Sequence, residues 1–594
     1  MEQIGGIQIR FKHGVSSKNH ANYPGFKQES RVLAKGTVLK EGAFPLPCDI
    51  LWERDIPVKL RDGTTIYIDI FRRSGLAASV PAIISSGGFG KNGGVNRMIL
   101  DKSPWRNGIP QQTVSSLEKF EALDPAYWCL HGYALIHPDI RGSWMSEGDS
   151  YINSTIDGKD GYDLVEWVAQ QLWSNKNVTM AGNSYLAQTQ WFVAAAKPPH
   201  LTCIAPWEGW NDLYNDTAQR GGIPNPEFQQ GLLDNCLPGL GRTEDIAAMT
   251  YQYPLWNEYW EDRRARCDQI DIPMYVVASW TNALHTRGTF RGWIESPSNK
   301  KWLRVHDSHE WPDLYYGQNV EDLRKFFDHF MKGTSNGWEF TPRVRLSVLN
   351  PGHQNIINRP EVNFPLARQI SHQLYLDGAT CSMQTTPPKH KALVEFDSVQ
   401  GQAQFSYTFP QMTELTGYFK LKLFVQAVGN DDLDIFVKFR KTDKNGIPLE
   451  TRCIDASYLQ DDPIGVKIQL EELRRRGDKK VDVYFSEGST GRLRVSHREL
   501  DAMRSTPHQP HYTHLHPQPL KEGEVVPVEI EMWPHGMIWE AGEQIQLIIA
   551  GHNLRPEIAW LTPTVKTCNK GTMVIHTGPE FNSYLLVPLV PSES

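Results

Sequence analysis

The apolar and polar residues of this chain follow different patterns in its two halves. From residue 57 to about 200, short apolar runs alternate with amphipathic stretches, which predicts a mostly parallel sheet covered by helices. The predicted strands are Ile56–Leu60, Thr65–Phe71, Ala82–Ser85, Tyr133–His137 and Val178–Ala181, and the predicted helices are Ser115–Ala122, Gly158–Gln171 and Ala187–Ala196. The same pattern returns in strands Met274–Ser279 and Trp302–Val305 and in a helix at Asn319–Lys332.

Two other regions break this alternation. Residues 206–266 are rich in Trp, Tyr and Asp without a clear strand, so we interpret them as a helical lid that holds the substrate determinants. After Gly333, short segments alternate apolar and polar residues between turn signals, which is typical of an all-β sandwich. These segments are Val344–Leu349, His372–Leu376, Gly417–Val425, Leu433–Arg440, Val525–Met532 and Gln544–Ile549. The predicted organisation is a two-part α/β core (1–205 and 267–339), the lid (206–266) and a β domain (340–594) that holds few substrate determinants.

Composition narrows the classes of function. The chain has 594 residues, 40% of them hydrophobic and 22% charged, as in ordinary globular proteins with more than one domain. Its formal net charge of −7 argues against nucleic acid or an anionic membrane as the main partner. The first ten residues lack the apolar stretch of a signal peptide, and the eight cysteines have no paired spacing, so we expect reduced thiols and a cytoplasmic location.

A glycine-x-serine sequence is the strongest chemical signal. An apolar run ends in Gly182-Asn-Ser184, and a helix-compatible stretch follows. A serine on such a strand–helix turn exposes its hydroxyl, and the next amide is free to hold an oxyanion. The alternative is an ordinary strand–helix turn, which the spacing by itself does not exclude.

Several motifs together resemble the cocaine esterase/X-prolyl dipeptidyl peptidase (CocE/NonD-type) group of serine hydrolases. They are Ile56-Pro-Val-Lys-Leu-Arg-Asp-Gly63, Asp139-Ile-Arg-Gly-Ser-Trp-Met-Ser-Glu-Gly148, Asp160-Gly-Tyr-Asp-Leu-Val-Glu-Trp167 and Gly491-Arg-Leu-Arg-Val-Ser-His-Arg-Glu-Leu500. The resemblance implies an α/β-hydrolase core with a helical lid, a C-terminal jelly roll, and Ser184 as the nucleophile. It also implies His309 as the general base, with His306 as its competitor.

The chain departs from this family at the position of the catalytic acid. The family has an aspartate after a strand, in a stretch that corresponds to Ser279-Trp280-Thr281-Asn282, so Asn282 takes the place of the aspartate. An amide can orient a histidine but cannot stabilise the imidazolium by charge. We expect Asn282 to be the third partner of His309, and the nearby carboxylates Asp307, Glu310 and Asp313 are the alternatives.

The second departure concerns the oxyanion hole. The family supplies one donor from a tyrosine hydroxyl, whereas this chain has Phe89 at the matching position in its glycine-rich loop. Loss of such a donor typically costs about 10²–10³ in rate. The Tyr185 amide is the expected remaining donor, and a one-residue misalignment in the loop is the alternative.

The leading interpretation is a serine hydrolase that cleaves an ester, amide or thioester of an apolar small molecule. Trp210, Tyr214 and Trp280 are the expected substrate-binding residues. The alternative, which Asn282 and Phe89 motivate, is a hydrolase fold that has become a cyclase, isomerase or lyase of specialised (secondary) metabolism. No cofactor motif is present. We interpret the loop with His508, His511, His514 and His516 as packing rather than as a metal site, and the surfaces are compatible with a homodimer.

Overall fold

The computed structural model describes residues 2–20, 23, 25–91, 99–454, 463–555 and 565–591. In this part of the chain, eleven strands form one large sheet. They are β4 (Glu29–Leu33), β5 (Ile50–Lys59), β6 (Thr65–Arg73), β7 (Val80–Ile84), β8 (Ala134–Asp139), β9 (Ser174–Asn183), β10 (Leu201–Trp207), β12 (Met274–Ser279), β13 (Lys301–His306), β14 (Val344–Val348) and β15 (Ile356–Glu361). Their spatial order is β15-β14-β13-β12-β10-β9-β7-β8-β6-β5-β4. The short strands β1 (Gln3–Ile4) and β2 (Ile7–Gln8) pair with each other, and β3 (Phe11–His13) pairs with β11 (Arg242–Glu244).

The sheet is parallel at its centre and antiparallel at both edges. Strands β8, β7, β9, β10, β12, β13 and β14 run parallel, whereas β4, β5 and β6 are antiparallel to their neighbours and β15 is antiparallel to β14. The chain order reverses between β7 and β9. In open α/β sheets, the crevice at the carboxyl ends of the strands beside such a reversal is where ligands bind.

Helices cover this sheet and form the insertion after β10. They are α1 (Pro125–Leu130), α2 (Thr155–Ala169), α3 (Tyr185–Ala195), α4 (Glu227–Cys236), α5 (Ile246–Gln252), α6 (Glu258–Asp262), α7 (Thr286–Glu295), α8 (Glu310–Tyr315) and α9 (Gly317–Lys332). Helix α9 is amphipathic. Its apolar face, which is buried against the sheet, consists of residues at helical spacing: Leu323, Phe326, Phe327 and Met331. It ends at Gly333, whose φ of 67° favours glycine.

The C-terminal region is the predicted β sandwich. Its strands are β16 (Ile370–Asp377), β17 (Ser382–Gln384), β18 (Ala392–Asp397), β19 (Gln402–Thr408), β20 (Thr413–Val428), β21 (Asp434–Thr442), β22 (Pro448–Leu449), β23 (Thr451–Arg452), β24 (Phe485–Ser486), β25 (Thr490–Arg494), β26 (Val526–Trp539), β27 (Gln544–Ala550), β28 (Thr572–Thr577) and β29 (Tyr584–Val590). Most pairs are antiparallel, and alternate residues such as Leu421, Leu423 and Val425 of β20 point into one apolar core. A helix, α10 (Pro463–Arg475), lies between β23 and β24.

The structure differs from the sequence prediction in two places. The predicted helix Ser115–Ala122 is wrong, because Ser115 binds the carboxylate of Asp124, and Ser116 and Glu121 have positive φ angles of 73° and 64°. The predicted strand at Val344 belongs to the first sheet, parallel to β13, so the α/β core extends beyond residue 340. No helix in the described ranges is long and apolar enough to span a membrane.

Candidate active site

Ser184 lies on a strained turn between β9 and α3, at the carboxyl end of a central strand. Its φ of 57° and ψ of −118° are rare for a residue with a side chain. Two residues earlier, Gly182 has φ of 140°, and a Cβ atom there would lie 2.7 Å from Cβ of Leu186. The Ser184 amide donates to the carbonyl oxygens of Trp207 and Glu208 at 3.1 and 3.0 Å, which fixes the turn against β10. This geometry matches a nucleophile elbow.

The side chain that contacts the Ser184 hydroxyl is His285, which the sequence analysis did not select. Its Nε2 lies 3.0 Å from Oγ of Ser184. Burial, with a smaller contribution from the charge of His309, lowers the pKa of His285 to about 3, so the ring is neutral near pH 7 and can accept a proton. The ring of Trp210 lies against the imidazole, with 5.0 Å between the ring centroids, and the buried Nδ1 of His285 has no hydrogen-bonding partner among the described residues.

Asn282 positions His285 through the backbone rather than through the ring. Its Oδ1 accepts the amide hydrogens of Leu284 and His285 at 2.7 and 3.0 Å. These bonds satisfy two amides just before α7 and so fix the position of His285, the residue that precedes this helix. The predicted pairing of Asn282 with the ring of His309 is therefore replaced by a helix-capping contact.

His309 occupies the predicted loop after β13, but its hydrogen bonds are not those of a general base. It precedes α8, and its Nδ1 accepts the amide hydrogen of Trp311 at 3.3 Å. An accepting Nδ1 places the proton of the neutral ring on Nε2, so Nε2 is a donor in this tautomer. Burial, followed by the charges of His306 and Arg555, lowers the pKa of His309 to about 3. The predicted contact between Ser184 and His309 is thus made by His285 instead.

Two buried carboxyl groups flank Ser184 and His285. Oε2 of Glu310 lies 3.7 Å from Nε2 of His285, and burial, together with the charges of Glu208 and Glu121, holds the pKa of Glu310 well above its usual range. Burial also raises the pKa of Glu121 to about 8, against the lowering effects of Trp311, the Ser184 hydroxyl and a backbone amide. Burial thus favours the protonated form of both acids.

The other predicted acids and bases form a separate network behind the elbow. Nε2 of His306 lies 2.5 Å from Oε1 of Glu208, and Asp313 binds Arg304 and accepts from the Trp207 indole at 2.8 Å. Burial would lower the pKa of His306, but the charges of Asp313 and Glu208 raise it. Asp307 accepts from Asn355. Among the alternatives to an aspartate at position 282, only Glu310 lies next to the histidine that binds Ser184.

The oxyanion side of the site has an aromatic ring where the family has a hydroxyl. Phe89 is buried, and its ring packs edge-on against Phe120 and Tyr185 at 5.3 and 5.8 Å. It offers no donor. The buried Lys119 donates to the carbonyl oxygens of Gly87 and Pro138, which fastens the glycine-rich loop, and burial lowers its pKa to about 7.

The three predicted substrate-binding residues lie in different places. Trp210 packs on His285 and donates to Asn153 at 3.1 Å, so it lies at the site. Tyr214 donates to the carbonyl oxygen of Pro254 and packs among lid aromatics. Trp280 donates to Ser347 and stacks on Phe290, in the core near the β sandwich. The contacts of Tyr214 and Trp280 are packing contacts, contrary to the prediction.

A cavity of about 260 Å³ opens beside His309 between the α/β core and the β sandwich. Its lining combines Asn282, Glu310 and Trp311 with residues of the C-terminal domain. The latter are Lys438, Glu450, Arg474, Asp482, Val483, Phe485, Glu487, Leu554 and Arg555. The β domain thus contributes directly to the surroundings of the site, although we expected it to hold few substrate determinants.

Within the described ranges, no group of three or more His, Cys, Asp or Glu side chains is placed to hold a metal ion. In the histidine-rich loop, Nδ1 of His514 lies 2.9 Å from Nδ1 of His497, and His508 lies beside Ser371. These contacts fit a packing loop.

Two family models match the chain. Residues 62–238 match the X-Pro dipeptidyl-peptidase (S15 family) domain, and residues 336–586 match the X-Pro dipeptidyl-peptidase C-terminal non-catalytic domain. The chain is 29% identical to the cocaine esterase of Rhodococcus sp. over 397 residues, which are 56% of this chain and 63% of that protein. Two mycobacterial relatives are 31% identical over 172 residues, and the chain spans only 26% of their length.

Solved structures extend the similarity to the whole chain. The crystal structure of a CocE/NonD family hydrolase from Staphylococcus aureus superposes with a TM-score of 0.82 at 30% identity, and the match covers 99% of this chain and 100% of that one. An α-amino acid ester hydrolase has a TM-score of 0.63 at 14% identity and covers 91% of this chain and 97% of that one. The latter likeness shows the shared fold alone.

Proposed function

Because this chain belongs to the CocE/NonD hydrolase family, a family of hydrolytic enzymes, we propose that it cleaves an ester, amide or thioester of an apolar small molecule through an acyl-enzyme on Ser184. The observation that carries this proposal is the 3.0 Å contact between Oγ of Ser184 and Nε2 of His285 on a nucleophile elbow. A serine within hydrogen-bonding reach of a neutral histidine is the arrangement that activates a hydroxyl nucleophile.

The proposed reaction has two steps. Oγ of Ser184 attacks the substrate carbonyl while its proton passes to Nε2 of His285, and the tetrahedral intermediate collapses when the leaving group takes that proton. Water then attacks the acyl-enzyme, gives its proton to His285 and releases the acid, after which Ser184 recovers its proton. Trp210, Phe120 and Trp311 surround this place with aromatic rings and favour an apolar acyl group.

The site departs from an ordinary triad because no carboxylate of the described residues binds Nδ1 of His285. The nearest acid, Glu310, lies on the same side as Ser184, at Nε2. A buried imidazolium without a counter-ion is unfavourable, so we propose a slow hydrolase rather than a fast general esterase.

A comparison of histidine variants tests the identity of the base. We expect His285→Gln to lower kcat/KM for p-nitrophenyl acyl esters by about 10³ or more, as loss of a general base typically does. His309→Gln is the matched comparison, and we expect a smaller loss because its Nδ1 is bound to a backbone amide. A larger loss in His309→Gln would assign the base to His309, as the sequence predicted, and equal losses would contradict a specific role of His285.

A second function has one specific observation in its favour. Two buried carboxyl groups, whose pKa values burial raises, and a histidine whose pKa burial lowers surround Ser184, which is a set suited to acid–base conversions without an acyl-enzyme. A cyclase, isomerase or lyase of specialised metabolism would retain turnover of its natural substrate in Ser184→Ala, whereas a serine hydrolase would lose it.

A further inference from the structure

The segment between β7 and α1 brings one acidic side chain to the reacting serine. Glu121 has φ of 64°, and its carbonyl oxygen accepts the Asn183 amide at 3.0 Å. The nucleophile elbow and Glu121 are therefore joined by their backbones, and a Cβ atom on Gly182 would lie 3.1 Å from that same carbonyl oxygen. This close packing places the side chain of Glu121 at the elbow.

The carboxyl of Glu121 is buried and is held firmly at one oxygen. Oε1 accepts the indole hydrogen of Trp311 at 2.8 Å, whereas no strong hydrogen bond from the described residues reaches Oε2. The residue is only 4% exposed. Such an oxygen is costly to bury, which makes it the kind of group that functional sites retain.

The neighbours of this carboxyl are the hydroxyl of the proposed nucleophile and the amide that follows it in the chain. The Ser184 hydroxyl and the Tyr185 amide both act on Glu121 and favour its ionised form, but burial outweighs them and raises its pKa to about 8. In a serine hydrolase the oxyanion forms on the carbon attached to Oγ and binds the amide after the nucleophile. Glu121 thus lies beside that position.

We propose that Glu121 is a catalytic residue whose carboxyl group donates a hydrogen bond to the oxyanion, in place of the tyrosine hydroxyl missing at Phe89. This role rests on the proposed acyl-enzyme chemistry. A protonated carboxyl in an apolar site can donate a hydrogen bond to a developing negative charge, whereas an ionised one would repel that charge. The donated hydrogen stays on Glu121 and stabilises the tetrahedral intermediate, and no further reactant is required.

The neighbouring Glu118 offers a matched control. It lies on the same segment, is 4% exposed and also has its pKa raised by burial to about 8, but the charges that act on it are those of Asp124 and Arg106 rather than the reacting serine. A change at Glu118 therefore alters a buried acid of the same segment whose pKa is not set by Ser184 or Tyr185.

The test measures p-nitrophenyl ester turnover from pH 6 to 9.5 in four variants. Glu121→Leu removes the donor, and we expect kcat to fall by about 10²–10³. Glu121→Gln keeps a neutral donor, so we expect it to retain at least tenfold more activity than Glu121→Leu. Adding Phe89→Tyr to Glu121→Leu supplies the hydroxyl again and should recover at least tenfold.

The pH profile separates a donor from a structural acid. Because the protonated form donates, wild-type activity should fall as pH rises through about 8, and this decline should disappear in Glu121→Gln but persist in Glu118→Gln. Equal activities of the Gln and Leu variants, or an unchanged alkaline decline in Glu121→Gln, would overturn the proposal. If the wild-type protein formed no acyl-enzyme on Ser184, the proposed function itself would be overturned, so the two failures are distinguishable.

Discussion

At the scale of single residues, the site shows what a sequence can and cannot reveal. Ser184 was predictable because a glycine-x-serine turn has its own backbone requirement. His285 and Glu121 were missed because no local sequence motif marks them. His285 reaches Ser184 from the residue before α7, and Glu121 reaches the elbow from an irregular, buried segment in which it has a positive φ angle. A histidine three residues after Asn282 was the available signal for His285.

Asn282 allows a prediction at this scale. Its Oδ1 caps the backbone before α7, so Asn282→Ala should lower the free energy of unfolding by about 1 kcal/mol in a urea titration. Asn282→Asp keeps the acceptor and should be much less destabilising. Its negative charge close to His285 should also stabilise the imidazolium and raise turnover of activated esters. If neither variant changes stability or turnover, this position has no role in the site.

At the scale of elements, buried strands were predicted well and irregular segments were not. The strand Met274–Ser279 has the predicted bounds, because a fully buried parallel strand reads as a continuous apolar run. The segment Ser115–Ala122 was predicted as a helix. The amide and hydroxyl of Ser115 instead donate to the Asp124 carboxylate, and the positive φ angles of Ser116 and Glu121 are incompatible with a helix.

The nucleophile elbow gives a prediction for an element. Gly182→Ala would place a Cβ atom 2.7 Å from Leu186, at a φ of 140° that side chains rarely adopt, so the midpoint of thermal unfolding should drop by several degrees. Gly317→Ala is the control, because a methyl group at that position, at the start of α9, would have no atom within 4 Å. A drop of equal size in both variants would contradict the assigned strain.

At the scale of the whole molecule, the β sandwich supports the site physically. The Arg287 guanidinium on α7, two residues after His285, binds Asp216 at 2.6 Å and Glu531 of β26 at 2.8 Å. On the other side of the site, the His309 amide donates to Cys453 and Arg555 donates to Thr281. These contacts join the α/β core to the sandwich on two sides of the site. The change of periodicity near Gly333 predicted two domains but could not predict these contacts between them.

The buried ion pair of Arg287 predicts coupling between the domains. Arg287→Met leaves the buried carboxylate of Asp216 and the partly buried one of Glu531 without their cation, so we expect a loss of about 3–5 kcal/mol in the free energy of unfolding. Ester turnover should fall with it, because α7 carries His285. Arg475→Ala, an exposed partner of Glu472, is the control and should change neither quantity. A stable Arg287→Met protein would show that the sandwich does not hold α7 in place.

The most direct test of the account is the intact mass of the protein after incubation with a fluorophosphonate, followed by peptide mapping. We predict one covalent adduct on Ser184 in the folded wild type, no adduct in Ser184→Ala, and slower labelling in His285→Gln than in His309→Gln. A folded wild-type protein that takes up no adduct, or one that is labelled equally after Ser184→Ala, would contradict the acyl-enzyme mechanism.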